Sequence, residues 1–406
     1  MSSRSIVSGL HLNENKTTGS IYSVLRLSDR PYNCGGPRAV LWHGKNATPA
    51  TVAAQNAAIH KPGQPKAVVP VYVATSRQAQ DDYSEPFGTK RSKNLNYARV
   101  DVGIPQEHKK GLVETNGYKP DLKKYFSAVN MVKYNGREEF KKQLNKALDQ
   151  KPKGKREIFL FIHGYNNNFA DSTFRAAQFS YDYSLKAVTV HYSWPSGGSI
   201  PLYVYDRDSA DFARDGLADL LTLLSETDAN EITVVAHSMG NYVTMEALRS
   251  LSLQGKRYPI DRISSFLMAA PDIDVDVFER QLKDVKKMPQ PTAVLVSRKD
   301  KALAVSGRLV GGHARVGDGS SIPLLQKNGI AVLDLSDVDG GAHNVFASSP
   351  TLMALAHDGS LSTSMMKETS ETNGQRMMDD SGNILRGTTN LIFYTPARII
   401  SAVSQD

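Results

Sequence analysis

The sequence predicts an α/β fold: a doubly wound, mostly parallel β-sheet with helices on both of its faces. From residue 157 onward, short apolar runs alternate with amphipathic helical patterns, and this alternation is typical of parallel strands joined by helical crossovers. The runs are almost continuously apolar, as strands are when helices cover both faces of a sheet. Ahead of this core, β-branched alternating segments predict further strands, so we expect an N-terminal extension that contains strands.

The extension has predicted elements of its own. Residues 67–77 (AVVPVYVATSR) alternate and are rich in β-branched side chains, which predicts a strand. Residues 81–94 are polar and interrupted by Gly and Pro, which predicts a loop, and residues 95–105 (LNYARVDVGIP) predict a second strand that ends at proline. Apolar residues recur every four positions across residues 137–148, so we expect an amphipathic helix there.

The core strands and helices follow in order along the chain. Strands are predicted in the runs EIFLFIHG, AVTVHYSWPS, EITVVAHS, SSFLMAAPD, TAVLVSRKD and GIAVLDLSDV. Helices are predicted between them, in the patterns ADSTFRAAQFSYDY, RDSADFARDGLADLLTLLSE and GNYVTMEALRSLSL.

These patterns divide the chain into four parts. We expect a loosely ordered N-terminal segment (1–66), a strand and helix extension (67–156), the α/β core (157–357), and a polar, partly flexible C-terminal tail (358–406). The tail contains the apolar segment NLIFYTPARIISAV, which we expect to pack back on the body of the protein.

Composition narrows the classes of function. The formal charge of +8 is spread thinly over 406 residues, with no basic run interleaved with aromatics, so we expect no nucleic-acid partner. Cys34 is the only cysteine, which excludes an internal disulfide, and no Cys/His cluster predicts a metal site. We find no secretory signal and no apolar run of about 18 residues that would form an integral membrane segment. We therefore expect a cytoplasmic protein.

The segment TVVAHSMGN places Ser238 between a predicted strand and a predicted helix. A nucleophile elbow needs this context, and its sharp turn requires small residues two positions before and after the serine. Ala236 and Gly240 meet that requirement, although alanine replaces the first glycine of the G-x-S-x-G motif. The N–H groups at the start of the following helix would point toward a developing oxyanion. The alternative is a serine that acts as an ordinary helix N-cap.

A nucleophilic serine needs a base, and the base needs an orienting acid; on sheets of this kind they follow in the order Ser, acid, His. Asp300 directly follows the strand in TAVLVSRKD. Asp272, in AAPDID after the preceding strand, is the alternative acid, and Asp274 lies further into the same loop. We favour Asp300 because its strand immediately precedes the one that leads to the candidate histidine.

The candidate base is His343, in a Gly-rich loop directly after the last core strand. It lies at the carboxyl end of its strand, where open α/β sheets place their sites. His313 is the alternative base, but it precedes the last strand instead of following it. His237 is next to Ser238, and we expect its side chain to point away across the turn and to pack against the structure.

An oxyanion hole needs two N–H donors, and we expect them from the backbone of Met239, directly after the serine, and of Tyr165, in the loop FIHGYNNNF. The asparagines at 166–168 are turn formers that we expect to build this loop. Trp194, in SWPSGG, forms either a wall of the acyl pocket or part of the core. The residues that we consider for the substrate pocket are His163, Trp194 and His237.

Taken together, these motifs resemble one family. HGYNNNF, HYSWPSGG, a Tyr-x-x-Asp helix (Tyr203 and Asp206), AHSMGN, AAPDID and VSRKDKAL are similar to the alpha/beta hydrolase family of formerly undefined function, which is esterase- or lipase-like. The resemblance covers residues 67–350 and implies an α/β-hydrolase fold. It implies that Ser238 is the nucleophile, with Asp300 and His343 as acid and base. The Asp-Ile-Asp motif of the family falls at 272–274, which keeps Asp272 open as the acid.

The sequence therefore predicts a serine hydrolase that cleaves an acyl ester through a Ser-His-Asp triad and an acyl-enzyme, without a cofactor. The expected partner is a small-molecule acyl ester, and the two chain ends could bind a protein partner. Two alternatives stay open. An acyltransferase would use the same triad and pass the acyl group to an acceptor other than water. A non-catalytic member of the fold would act by binding alone.

Overall fold

The structure, a computed structural model, describes residues 64–82, 85–115, 121–199, 202–309 and 311–357, and two further strands at 384–386 and 389–394. The predicted N-terminal segment 1–66 lies outside the described residues except for residues 64–66. The predicted tail 358–406 lies outside them except for the two strands.

A single large sheet organises the fold. Its strands, in chain order, are β1 (Ala67–Ala79), β2 (Phe87–Ile104), β3 (Ser127–Tyr134), β4 (Glu157–Ile162), β5 (Val188–Ser193), β6 (Glu231–His237), β7 (Ser265–Ala269), β8 (Thr292–Val296), β9 (Ala331–Asp334), β10 (Ile384–Arg386) and β11 (Thr389–Tyr394). Their spatial order is β10-β11-β9-β8-β7-β6-β4-β5-β1-β2-β3. From β9 to β1 every neighbouring pair is parallel. Antiparallel strands complete both edges, so the predicted mostly parallel sheet is confirmed.

Helices connect the strands. They are α1 (Arg137–Leu148), α2 (Phe169–Asp182), α3 (Tyr203–Ser225), α4 (Met239–Leu253), α5 (Tyr258–Asp261), α6 (Val275–Val285), α7 (Lys301–Leu309), α8 (Ile322–Lys327), α9 (Val345–Ser348) and α10 (Pro350–His357). A short 3₁₀ turn at Val316–Asp318 precedes α8. Within the described ranges, none of these helices has the length and apolar character that a membrane span requires.

The core forms one layer on each face of the sheet, because successive side chains of a strand point to opposite faces. Leu160 of β4 belongs to the same buried cluster as Leu217 of α3 and Leu248 of α4. Phe159, its neighbour in β4, points the other way and stacks on Phe179 of α2 with ring centroids 5.2 Å apart. The expected helices on both faces are therefore confirmed.

The N-terminal extension belongs to the central sheet. β1 pairs in parallel with β5, so it continues the parallel core, and β2 and β3 follow it in antiparallel pairs. The helix expected at 137–148 is present as α1, and its apolar stripe is fully buried.

The predicted loop at 81–94 is wrong over residues 87–94, which form the first half of β2. There, β2 pairs with the end of β1 through register shifts, with Arg77 opposite Arg91 and Ala79 opposite Phe87. Backbone pairing across a bulged ladder sets this segment, so its polar residues carry no strand signal. β3 was not predicted either, because it is an edge strand and most of its side chains are partly or fully exposed.

A buried histidine ties the loop after β2 to helix α2. His108 Nδ1 lies 2.8 Å from Glu114 Oε2, and its Nε2 lies 2.9 Å from Asp182 Oδ1. The His108 side chain is only 1% exposed. Burial lowers the pKa of His108, but its hydrogen bonds to Asp182 and Glu114 outweigh burial, so the pKa is raised above its ordinary value. The loop is therefore held by a histidine that favours its charged form.

We expect His108→Gln to lower the free energy of unfolding more in mild acid than in alkali. The folded-state pKa is raised, so the stabilising contribution of the imidazolium is complete below the unfolded-state pKa of about 6.5 and is lost as the pH rises through the folded-state pKa. Urea unfolding of the wild type and of His108→Gln, below about pH 6.5 and again in alkali, measures the difference in the free energy of unfolding between the two proteins. His313→Gln is the control, because His313 is exposed. If the difference between the wild type and His108→Gln grew as the pH rose, this account would be contradicted.

Candidate active site

Ser238 occupies the sharp turn between β6 and α4. Its backbone has φ 53° and ψ −124°, a conformation that non-glycine residues rarely adopt. The residue is 4% exposed, and α4 begins at the next position, Met239. A serine that stays in a strained backbone directly before a helix is what a nucleophile elbow requires. Its side chain makes no capping hydrogen bond to α4, so the N-cap alternative finds no support.

The turn packs tightly on the loop that follows β4. A Cβ added at Gly240 would lie 2.4 Å from the backbone oxygen of His163, closer than any real contact. A Cβ added at Gly164 would lie 2.8 Å from Cβ of Ser238. Glycine at both positions therefore lets the two loops touch, and Ala236, two residues before Ser238, is fully buried beneath them.

Asp300 and His343 form a close pair at the carboxyl ends of β8 and β9. His343 Nδ1 donates to Asp300 Oδ2 at 2.6 Å. The other carboxylate oxygen accepts from the backbone N–H groups of Ala302 at 2.9 Å and Leu303 at 3.1 Å, which fixes the orientation of the carboxylate. The Asp300 side chain is fully buried and His343 is 24% exposed. A histidine held in this way has Nε2 as its basic nitrogen.

The elbow and the His343 loop are joined through His237. Its Nε2 donates to the backbone oxygen of His343 at 3.1 Å, and the two rings lie 4.7 Å apart. Its ring also stacks on Phe346 at 4.6 Å. Burial and the neighbouring His343 hold the pKa of His237 well below its ordinary value, so this ring stays neutral. Its contacts are those of a structural residue.

In the described part of the chain, no hydrogen bond joins the Ser238 side chain to His343. Catalytic hydrogen bonds are often long in the free enzyme and shorten only when substrate binds. The two residues nevertheless belong to one cluster, because His237 is the residue before Ser238 and bonds the backbone of His343.

Asp272, the alternative acid, is engaged elsewhere. Its Oδ1 accepts from Ser306 Oγ at 2.7 Å and lies 3.3 Å from Nε of the buried Arg315. Its Oδ2 is 3.4 Å from the hydroxyl of Tyr203. Only the backbone of Asp272 meets the elbow, where its N–H donates to the Ser238 oxygen at 3.3 Å. This geometry favours Asp300 as the partner of His343.

Asp274 and His313, the remaining candidates for acid and base, lie together. Asp274 Oδ1 caps α6 by accepting from the N–H groups of Asp276 at 3.0 Å and Val277 at 3.3 Å. His313 is 62% exposed, with Nδ1 3.6 Å from Asp274 Oδ2. Asp274, Asp276 and His313 bring ligand atoms within 4.8 Å of one another, the grouping in the described residues most suited to a cation. Exposed acidic groups are common without an ion, and we assign no metal to this one.

The candidate oxyanion donors lie on two different elements. Met239 is the first residue of α4 and is fully buried. Tyr165 follows Gly164 in the loop that contacts Ser238, and its ring meets the edge of Tyr203 at 5.4 Å. The two expected donors thus belong to the elbow and to the loop that touches it.

The asparagines after Tyr165 build this loop. Asn166 has a left-handed backbone with φ 60°, which asparagine tolerates better than most residues. Asn167 Nδ2 donates to the backbone oxygens of Gly164 at 3.1 Å and Tyr165 at 2.9 Å. Asn168 caps α2 by accepting from the N–H of Asp171 at 2.7 Å. Each asparagine therefore has a structural task, as the sequence predicted.

A family model described as "Alpha/beta hydrolase of unknown function (DUF900)" matches residues 136–358, just over half of the chain. The chain belongs to this family. The resemblance seen in the sequence is confirmed, and with it the α/β-hydrolase fold.

Among solved structures, the chain is similar to lipase B of Aspergillus fumigatus, with 13% identity over 56% of this chain and a TM-score of 0.35. The alignment spans 58% of that lipase. The chain is also similar to an esterase of Pyrobaculum calidifontis, with 12% identity over 68% of this chain and 83% of the esterase, and a TM-score of 0.33. No curated protein matches the sequence.

His163 and Trp194, both considered for the substrate pocket, lock two loops of this hydrolase fold to each other. Trp194 Nε1 donates to the backbone oxygen of His163 at 2.7 Å, and His163 Nε2 lies 3.0 Å from the backbone oxygen of Trp194. Their rings stack 4.9 Å apart, and both residues are buried. Burial holds the pKa of His163 well below its ordinary value. The packing alternative for Trp194 is therefore favoured.

Sequence reasoning missed one residue beside the site. Arg77 is fully buried and hydrogen-bonds the loops that follow β4 and β5. It lies at the end of a predicted strand, before residues 136–358, which the family model matches. An arginine that closely follows a buried apolar run, residues 71–74, was the signal that could have drawn attention to it.

We expect Ser238→Gly to be more stable than Ser238→Ala by about 1 kcal/mol, because glycine removes the backbone strain at φ 53° that alanine keeps. Thermal and urea unfolding of the two variants measure the difference. Ser184 is exposed and also has φ 53°, so the same pair of substitutions there provides a benchmark at a residue outside the candidate triad. Equal stability of the two Ser238 variants would show that the turn stores no strain.

Proposed function

We propose that this protein is a serine hydrolase that cleaves an acyl ester, with Ser238 as nucleophile, His343 as base and Asp300 as the orienting acid. The observation that carries the proposal is the 2.6 Å hydrogen bond between Asp300 and His343, in a cluster with a strained serine turn. A buried carboxylate, an oriented imidazole and a serine before a helix are the parts that acyl transfer needs.

In the proposed first step, Ser238 Oγ attacks the ester carbonyl carbon and its proton moves to His343 Nε2. Asp300 holds the imidazole in the required tautomer and stabilises the imidazolium that forms. The N–H groups of Met239 and Tyr165 bind the oxyanion, each contributing about 3 to 4 kcal/mol in comparable sites. The positive end of the α4 dipole supports the same charge.

The tetrahedral intermediate then collapses and completes acylation: the bond from the carbonyl carbon to the alcohol oxygen breaks, His343 gives its proton to the leaving alcohol, and an acyl group remains on Ser238 Oγ. His343 then accepts a proton from water, whose oxygen attacks the acyl carbon. This attack forms a second tetrahedral intermediate. When it collapses, the bond between the acyl carbon and Ser238 Oγ breaks, His343 returns its proton to that oxygen, and the acid is released. The neutral state of His237 supports this cycle, because a second positive charge beside His343 would oppose its protonation.

We expect Ser238→Ala to abolish hydrolysis of short and medium p-nitrophenyl esters and labelling by a fluorophosphonate probe. The serine oxygen is the only group that forms the acyl-enzyme in the proposed route. Release of p-nitrophenol and mass spectrometry of the labelled protein measure both effects. Ser184→Ala is the matched control and should leave both unchanged. Full labelling of the Ser238→Ala protein would contradict the assignment.

We expect Asp300→Asn to lower kcat by about 10³- to 10⁴-fold, because an amide no longer holds the reactive tautomer of His343. Asp272→Asn should act mainly on stability, since it leaves the buried Arg315 without its carboxylate partner. Kinetics and urea unfolding of both variants separate the two effects. A larger loss of kcat in Asp272→Asn than in Asp300→Asn would reverse the acid assignment.

A further inference from the structure

A fully buried arginine holds both loops that meet behind the candidate oxyanion site. The side chain of Arg77, from β1, is 0% exposed. Its Nη2 donates to the backbone oxygen of Asn167 at 2.8 Å, and its Nη1 donates to the backbone oxygens of Ser196 at 3.1 Å and Gly88 at 3.2 Å. Its Nε donates to Ser193 Oγ at 3.0 Å. A planar guanidinium thus fixes carbonyl groups from separate segments at once.

A buried carboxylate accepts hydrogen bonds from N–H groups of the same two loops. Asp206, in the first turn of α3, is also 0% exposed. Its Oδ1 accepts from the Gly197 N–H at 2.6 Å. Its Oδ2 accepts from Ser196 Oγ at 2.5 Å and from the Asn166 N–H at 3.3 Å.

The two charged groups complete one network. Arg77 donates hydrogen bonds to carbonyl groups of the loops after β4 and β5. Asp206 accepts hydrogen bonds from N–H and hydroxyl groups of the same loops. The Asn167 N–H donates to Ser196 Oγ at 3.2 Å and closes the network between the loops. Burial lowers the pKa of Arg77 to about 10, so the guanidinium stays charged at neutral pH. Burying two charges is costly unless hydrogen bonds satisfy them, and here the loop backbones do so.

The network holds one short loop, residues 164–168, through hydrogen bonds to its backbone. This loop touches the nucleophile, since a Cβ on Gly164 would lie 2.8 Å from that of Ser238. It also contains Tyr165, the expected oxyanion donor. A shift of about 1 Å in such a loop is enough to cost a catalytic site about 10²-fold in rate.

We propose that Arg77 and Asp206 are positioning residues that hold the 164–168 loop where its backbone binds the oxyanion. The proposal rests on the proposed serine hydrolase function. Arg77 lies in the N-terminal extension, before residues 136–358, which the family model matches. The proposal therefore makes this extension part of the catalytic unit. Neither residue touches substrate; both act through the loop backbone.

The test compares the full-length wild type with Arg77→Lys and Asp206→Asn. For both variants we expect kcat on p-nitrophenyl esters to fall by about 10²-fold while KM changes little, because oxyanion stabilisation belongs to the transition state. Affinity for a trifluoromethyl ketone, which forms a tetrahedral oxyanion on the serine, should fall in step with kcat/KM. The rate of fluorophosphonate labelling of Ser238 should fall as well.

Arg91→Lys is the matched control. Arg91 lies opposite Arg77 in the β1–β2 ladder, and it donates to Ser209 Oγ at 3.1 Å and to the Tyr205 oxygen at 3.3 Å in the same helix as Asp206. The same substitution there changes a strand-to-helix contact without touching the 164–168 loop, so kcat should stay at the wild-type value. Thermal unfolding of all variants gives the folded fraction to which rates are normalised.

If Arg77→Lys does not fold, Asp206→Asn, of almost equal volume, decides the question. The proposal is overturned if folded variants keep the wild-type kcat, or if kcat falls while affinity for the trifluoromethyl ketone does not. A wild type that neither labels nor hydrolyses overturns the proposed function and, with it, this inference. A labelled, active wild type with unaffected variants overturns the inference alone.

Discussion

The turn at Ser238 is the constraint on which the rest of the site depends. Its backbone has a left-handed φ and an unusual ψ, and such strain persists only where the surroundings hold it. Here β6, in the middle of the parallel sheet, and the buried start of α4 hold it from both sides. Gly240 and Gly164 then allow the loop after β4 to lie against the turn. The sheet core, through this turn, sets where the proposed nucleophile and the proposed oxyanion loop meet.

Two polar systems extend from the turn in opposite directions. On one side, His237 bonds the backbone of His343, whose ring bonds the buried Asp300. On the other side, Arg77 and Asp206 bind the loops after β4 and β5. The acidic and basic residues of the two systems, Asp300, Arg77 and Asp206, are buried and make their hydrogen bonds within the protein. The low local dielectric strengthens these bonds and so fixes the directions of the groups. These bonds tie the loops of the site to the sheet and its helices, so these elements set the positions of the loops.

The local pattern of apolar residues in the sequence predicted much of the fold and of the candidate site. The features that it missed depend on contacts between residues far apart in the chain. The parallel strands and α1 followed from apolar periodicity, and Ser238, Asp300 and His343 were chosen because each follows a strand of one sheet. The first half of β2 is polar and pairs across a bulge, so no periodicity announced it. The structural task of Arg77 could not be assigned from sequence, because its loop partners lie about 90 to 120 positions away and are backbone oxygens without a residue signature. Asp206 belonged to a recognised motif, but its partners appear only once the loops are folded together.

The most direct test of the central claim is a crystal structure of the protein after reaction with a fluorophosphonate. We predict a covalent bond between phosphorus and Ser238 Oγ, with a phosphoryl oxygen within hydrogen-bond distance of the Met239 and Tyr165 N–H groups. His343 Nε2 should lie within hydrogen-bond distance of Ser238 Oγ or of the phosphonyl group, with the Asp300 bond retained. A phosphonyl group on any other residue, or an oxygen that points away from both N–H groups, would contradict the account.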